Sequence, residues 1–111
     1  MLLDIAQFNK DYTQHHFSDG LYAKEIHVPE GMMVVQHKHT FSHLSVLAKG
    51  KVVVVVDGEE PRVITAPACL DIRANTNHGI KALTDVVWFC IHATDEKDPD
   101  KVDEVIVQKE V

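Results

Sequence analysis

The sequence predicts an all-β domain, a sandwich or barrel of roughly eight or nine short strands. Three observations predict it. Runs of four to eight strand-forming residues recur at intervals of roughly ten residues. Each run ends at glycine, proline or a short polar cluster. Within the runs the side chains either alternate in polarity or form an unbroken β-branched series, as strands do.

Taken in order, Leu21 to Val28 ("LYAKEIHV") alternates and stops at the turn Pro29-Glu30-Gly31. Met32 to His39 follows, its strand character resting on Val34 and Val35. His43 to Ala48 is the next strand, and Lys49-Gly50 turns the chain. "KVVVVV", Lys51 to Val56, reads as a strand buried on both faces. Asp57-Gly58 is a strong hairpin signal into Arg62 to Thr65, where Pro61 sits at a tolerated first position. Ala68 to Arg73 and His78 to Leu83 flank the polar turn "ANTN", and "VVWFCIHA", Val86 to Ala93, is a further strand. The strand-rich core is thus expected over about residues 21–94 of one domain spanning 1–111. Residues 1–20 read as an arm, its first dozen residues as arm or short helix, with His15 and His16 solvated. Residues 95–111 read as a charged tail with a helical turn after Asp98-Pro99 and an edge strand at Ile106 and Val107.

Composition narrows the function classes. The net charge of −6 argues against a nucleic-acid groove or an anionic membrane surface. The longest apolar run, Val52 to Val56, is strand-sized and far short of a membrane span. The N-terminus lacks the basic region of a signal peptide. Cys69 and Cys90 lie in apolar surroundings and are expected as buried free thiols, consistent with a reducing cytoplasm.

Chemistry is concentrated in "GMMVVQHKHTFSHLSVLAKG", Gly31 to Gly50, which holds three of the eight histidines. Residues two apart on a strand share a face, so His37 and His39 point the same way, roughly 7 Å apart at Cα. Two imidazoles at that separation can converge on one metal ion. Met33 and Val35 would form an apolar floor on the same face. The bend "TFS" can return His43 beside the pair, with Ser45 and Leu47 on its face, and His78 opens a strand after "ANTN". His92 shares a face with Trp88 and Cys90; if that face looks inward, His92 is a cavity residue and a candidate acid or base. His27 faces away from its neighbours in what reads as an edge strand.

These residues resemble the cupins, whose first motif is G-x5-H-x-H-x3,4-E-x6-G. Gly31, His37, His39 and Gly50 fall at the motif positions, with His43 where the glutamate usually stands. The second motif, G-x5-P-x-G-x2-H-x3-N, aligns through His78 only: Pro67, Arg73, Asn75 and Ala82 replace its other members. The resemblance covers about residues 21–94. It implies an antiparallel jelly-roll β-barrel (a double-stranded β-helix), a homodimer, and a metal inside the barrel held by His37, His39, His43 and His78. Four-histidine cupins include zinc-dependent cyclases and dioxygenase-like proteins.

With four neutral ligands the ion keeps its full charge, which favours anionic substrates and acidifies bound water. Imidazole suits Zn, Fe, Ni and Cu, and Mn joins Fe and Ni as an octahedral candidate. Four-coordinate zinc would be closed, whereas an octahedral ion would keep open positions for a small-molecule substrate. The resulting expectation is a metal-binding cupin acting as a dioxygenase, isomerase, lyase or cyclase. The alternatives are a non-catalytic module that binds a sugar or metabolite, and a structural barrel with an incidental metal.

Overall fold

The computed structural model describes residues 2–4, 12–36, 42–99 and 101. They form ten strands: β1 (Leu2–Asp4), β2 (Thr13–Ser18), β3 (Leu21–Val28), β4 (Met33–Gln36), β5 (His43–Lys49), β6 (Lys51–Val56), β7 (Arg62–Thr65), β8 (Ala68–Ile72), β9 (His78–Ala82) and β10 (Val86–Ala93). No helix occurs among the described residues. One sheet has the order β1-β4-β9-β6-β7 and the other β2-β3-β10-β5-β8. All pairs are antiparallel except β1 with β4, which is parallel. From β3 onward the chain crosses between sheets at almost every connection. The exception is the β6–β7 hairpin, turned by Asp57-Gly58 as the dipeptide predicts. This is the jelly-roll winding of a double-stranded β-helix.

The two sheets bury their facing sides against each other. Ile26, Val28, Leu47, Val86 and Trp88 of one meet Val34, Val52, Val54, Ile80 and Ala82 of the other. Gly50 links β5 to β6 with φ +96, and a Cβ there would run into the Asp85 carbonyl and the Thr84 hydroxyl. Only glycine fits this crossing, because the left-handed backbone and the close approach coincide.

The structure departs from the sequence reading at several points. The sheet begins earlier than residue 21: Thr13 to Ser18 pairs with β3 over its whole length. β3 is therefore an inner strand and His27 is not on an edge. On β6 only Val52 and Val54 are buried, while Val53, Val55 and Val56 are partly exposed. A valine run reports the backbone preference for strand as much as burial. Cys90 is buried but Cys69 is exposed on β8; both are free thiols. After β10 the chain packs on the β2–β3 turn, with Thr94 N donating to Gly20 O and Lys97 Nζ to Ser18 O. Asp98 to Lys101 closes one turn by a 3.0 Å backbone bond. Ile106 and Val107 lie outside the described residues. None of the described residues forms a helix long and apolar enough to cross a membrane.

Candidate metal centre

The period of two sorts the β2-β3-β10-β5-β8 sheet into rows that face the interior. Thr13, Ile26, Trp88, Leu47 and Ala68 form one row. The next holds His15, Lys24, Cys90, Ser45 and Leu70. Beyond it stand Phe17, Tyr22 and His92, with His43 stacked on His92 and Ile72 beside it. The interior thus changes from apolar to polar along the strands. Its buried polar residues are Lys24, His43, Ser45, His78 and His92.

His43 opens β5 and His78 opens β9 of the opposite sheet, so each histidine is the first residue of its strand. The turn from Arg73 to Asn77 fixes both. Ala74 N donates to the Ser42 hydroxyl, which ties the turn to the residue before His43. Thr76 Oγ1 donates to Arg73 O at 2.7 Å, and Asp57 N donates to Asn77 O at 3.1 Å. Asn75 has φ +64, a left-handed conformation that asparagine tolerates and glycine supplies more freely.

The His43 and His78 ring centres are 6.1 Å apart and inclined at 46°. Two imidazoles on one ion hold their centres no more than roughly 6.5 Å apart, so this pair can share one. His92 stacks on His43 with 4.3 Å between centres, and the Ser45 hydroxyl lies 3.3 Å from His43 Nε2. Among the described residues no group of three or more His, Cys, Asp or Glu side chains is placed to hold a metal. The other two expected ligands, His37 and His39, lie outside the described residues. The donors in place are imidazoles with no carboxylate among them, which fits a borderline transition metal rather than Ca or Mg.

The expected apolar floor is corrected. On β4 it is Val34 that is buried, against Ile80, while Val35 is 40% exposed and Met33 shares its outward side. Leu47, expected on the face of His43, is fully buried in the apolar row beside Trp88. Ser45 and His92 do join His43, and the shared inward face of Trp88, Cys90 and His92 holds.

No family model matches the sequence, and neither does any curated protein. Solved structures match over most of the chain. A RmlC-like cupin from Shewanella frigidimarina is 25% identical, covers 78% of this chain and 77% of its own, and superposes with a TM-score of 0.64. A RmlC-like cupin family protein with a double-stranded β-helix fold, from Methanocaldococcus jannaschii, is 15% identical over 85% of this chain and 90% of its own, at TM-score 0.63. KdgF from a Halomonas species is 19% identical over 78% and 79%, at TM-score 0.64.

The chain has the cupin fold.

Two features of this cupin barrel were not singled out from sequence. Lys24 is 4% exposed, in the polar row between His15 and Cys90. Tyr22 is fully buried; His15 Nδ1 lies 2.6 Å from its hydroxyl, and its ring stacks with that of His92 at 6.1 Å. The signal was present: "LYAKEIHV" puts Tyr22, Lys24, Ile26 and Val28 on one face. A lysine there reads as water-facing, because lysine is rarely buried. His15 is corrected likewise, from solvated to half-buried.

Outside the barrel, Glu25 takes His16 Nε2 at 2.8 Å and His27 Nε2 at 2.5 Å on its two oxygens. The hydrogen bond from His27, then that from His16, holds the Glu25 carboxyl below its ordinary range. This clamp is separated from the inner histidines by the sheet itself. A groove of about 370 Å³ lined by Tyr12, His27, Lys49 and Asp85 is likewise remote from them.

Proposed function

We propose that this chain is a metal-dependent cupin that binds and transforms a small molecule. His37, His39, His43 and His78 hold one divalent transition-metal ion (Zn, Fe, Ni or Mn). When bound, the ion supplies Lewis-acid or redox chemistry of the dioxygenase, isomerase, lyase or cyclase kind. His92 keeps the His43 ring plane fixed by stacking on it, and Ser45 orients the same ring through its hydroxyl. His92 is also the candidate acid or base of the site. The protein works as a cytoplasmic homodimer.

The observation that carries this reading is the buried approach of His43 and His78, from opposite sheets, at the polar end of the barrel interior. The test is elemental analysis of protein purified without a histidine tag, for wild type, His78→Ala and His39→Ala. About one metal equivalent is expected in wild type and little in either variant. A metal content unchanged in both would overturn the proposed centre. Sedimentation as a monomer at high micromolar concentration would remove the dimer.

A further inference from the structure

The barrel has a seam where the edge strands β7 and β8 of the two sheets meet. At the apolar end the short link Ala66-Pro67 joins the strands and closes it. At the histidine end it opens into a cleft of about 110 Å³, with Val56 and Ile72 beneath and Glu59, Arg62, Asp71 and Arg73 around the rim. Val56 is the cross-strand neighbour of His78, and Ile72 that of His43. The base of the cleft is therefore one strand spacing, roughly 5 Å, from each buried histidine.

The rim charges are not equivalent. Arg73 is tied to Asp71 at 3.3 Å. Arg62 has no side-chain partner among the described residues. Behind the cleft, the buried polar residues among those described are a lysine, three histidines and a serine, with no carboxylate. A path that starts at a guanidinium and ends among bases is complementary to an anion.

We propose that this seam admits the substrate and that Arg62 selects it. On this proposal, which rests on the reading of the barrel interior as the reacting site, the substrate is a small carboxylate. Its carboxylate is taken by the planar fork of Arg62 while its other end reaches toward His43 and His78. A competing account is that charges on β7 and β8 only guard two exposed sheet edges against pairing with other chains. That account predicts more self-association on loss of Arg62 and no change in anion binding.

The experiment uses the full chain stripped of metal by chelator, so that it does not depend on the metal centre. Succinate is titrated at constant ionic strength, with uncharged succinamide as control, and followed by the backbone amide resonances. Succinate alone should shift Val56, Arg62 and Ile72. Arg62→Gln should weaken it about tenfold or more, as loss of a charge-assisted hydrogen-bond pair does. Arg62→Lys should recover part of that loss, and Lys51→Gln, at the other end of the hairpin, should bind succinate as wild type does. The proposal is overturned if Arg62→Gln binds succinate as wild type does, if succinamide gives the same shifts, if the shifts map away from the seam, or if succinate does not bind at millimolar concentration. A failure of the metal analysis above would leave this result standing, and the reverse also holds.

Discussion

Ile26, Trp88 and Leu47 stand at one end of the interior, and Tyr22, His92 and His43 at the other. Four residues along the same three strands separate them, roughly 14 Å. At the first end the side chains only pack, and the crossing at Gly50 admits no side chain at all. At the second, rings stack and hydroxyls approach nitrogens: His92 on His43, Tyr22 against His15, Ser45 beside His43. Burial is nearly the same at both ends, so burial does not tell them apart. What differs is that the polar end buries groups that water would otherwise solvate, which is costly unless they hydrogen-bond to one another or to a bound ion or ligand. The contrast teaches that one end is built from apolar packing, and the other from polar groups that the proposed function would use.

The sharpest way to break this comparison is to cut into the apolar end. Trp88→Ala removes the largest fully buried side chain and should cost about 3–5 kcal/mol. Urea denaturation of metal-stripped protein measures it. A loss below about 1 kcal/mol would mean that this end is not the stabilising one. The folded fraction of this variant should match wild type in metal content, because none of the proposed ligands has changed.

His43→Glu sharpens the comparison from the other end. It restores the carboxylate usual in the cupin motif, in a position only 5% exposed. Without metal it places an anion in a dry site and should cost about 1–3 kcal/mol at neutral pH. Added metal should restore most of that, with preference moved from Ni toward Mn and Fe, since carboxylate is the harder ligand. Thermal melting with and without chelator, across a metal series, reads both effects. Equal melting in every condition would show that residue 43 is a spectator.

The smallest effect belongs to the histidines outside. Glu25 is depressed in the folded state, so its stabilisation is present above the ordinary carboxyl range and is lost as pH falls through the folded value. Glu25→Gln should cost less than about 1 kcal/mol at neutral pH, as expected of a partly exposed pair. It should also make the acid limb of the stability curve shallower, so that the two proteins converge in acid. Denaturation midpoints from neutral pH downward test this. Metal content should not change, and if it did, the inner and outer histidines would not be independent.

Much of this was legible in the chain. The turns at Pro29 to Gly31, Gly50 and Asp57-Gly58 punctuate the strands as written, and the cupin spacing from Gly31 to Gly50 pointed to a jelly roll. Alternation placed Trp88, Cys90 and His92 on one face, because their neighbours differ enough for a period of two to show. The same rule is silent where every residue is apolar. "MMVV" gives no reason to prefer Val35 over Val34, and "VVVVV" none to prefer one valine set, so the pairing of Val34 with Ile80 decided the first and that of Val54 with Ile80 the second. Nor can alternation say which of two faces is dry. Lys24 is buried because β2 lies against β3 and the facing sheet closes over them, a property of their neighbours and not of the lysine.

The sequence by itself determined the strands from Leu21 onward, their turns and a set of histidines suited to a metal. Tertiary structure decided that His43 and His78, thirty-five positions apart, approach from opposite sheets, and that Arg62 stands on a cleft lined by their cross-strand neighbours Val56 and Ile72. Local alternation fixes which side chains share a face of one strand. Only the register between strands and the closing of one sheet over the other fixes which faces meet.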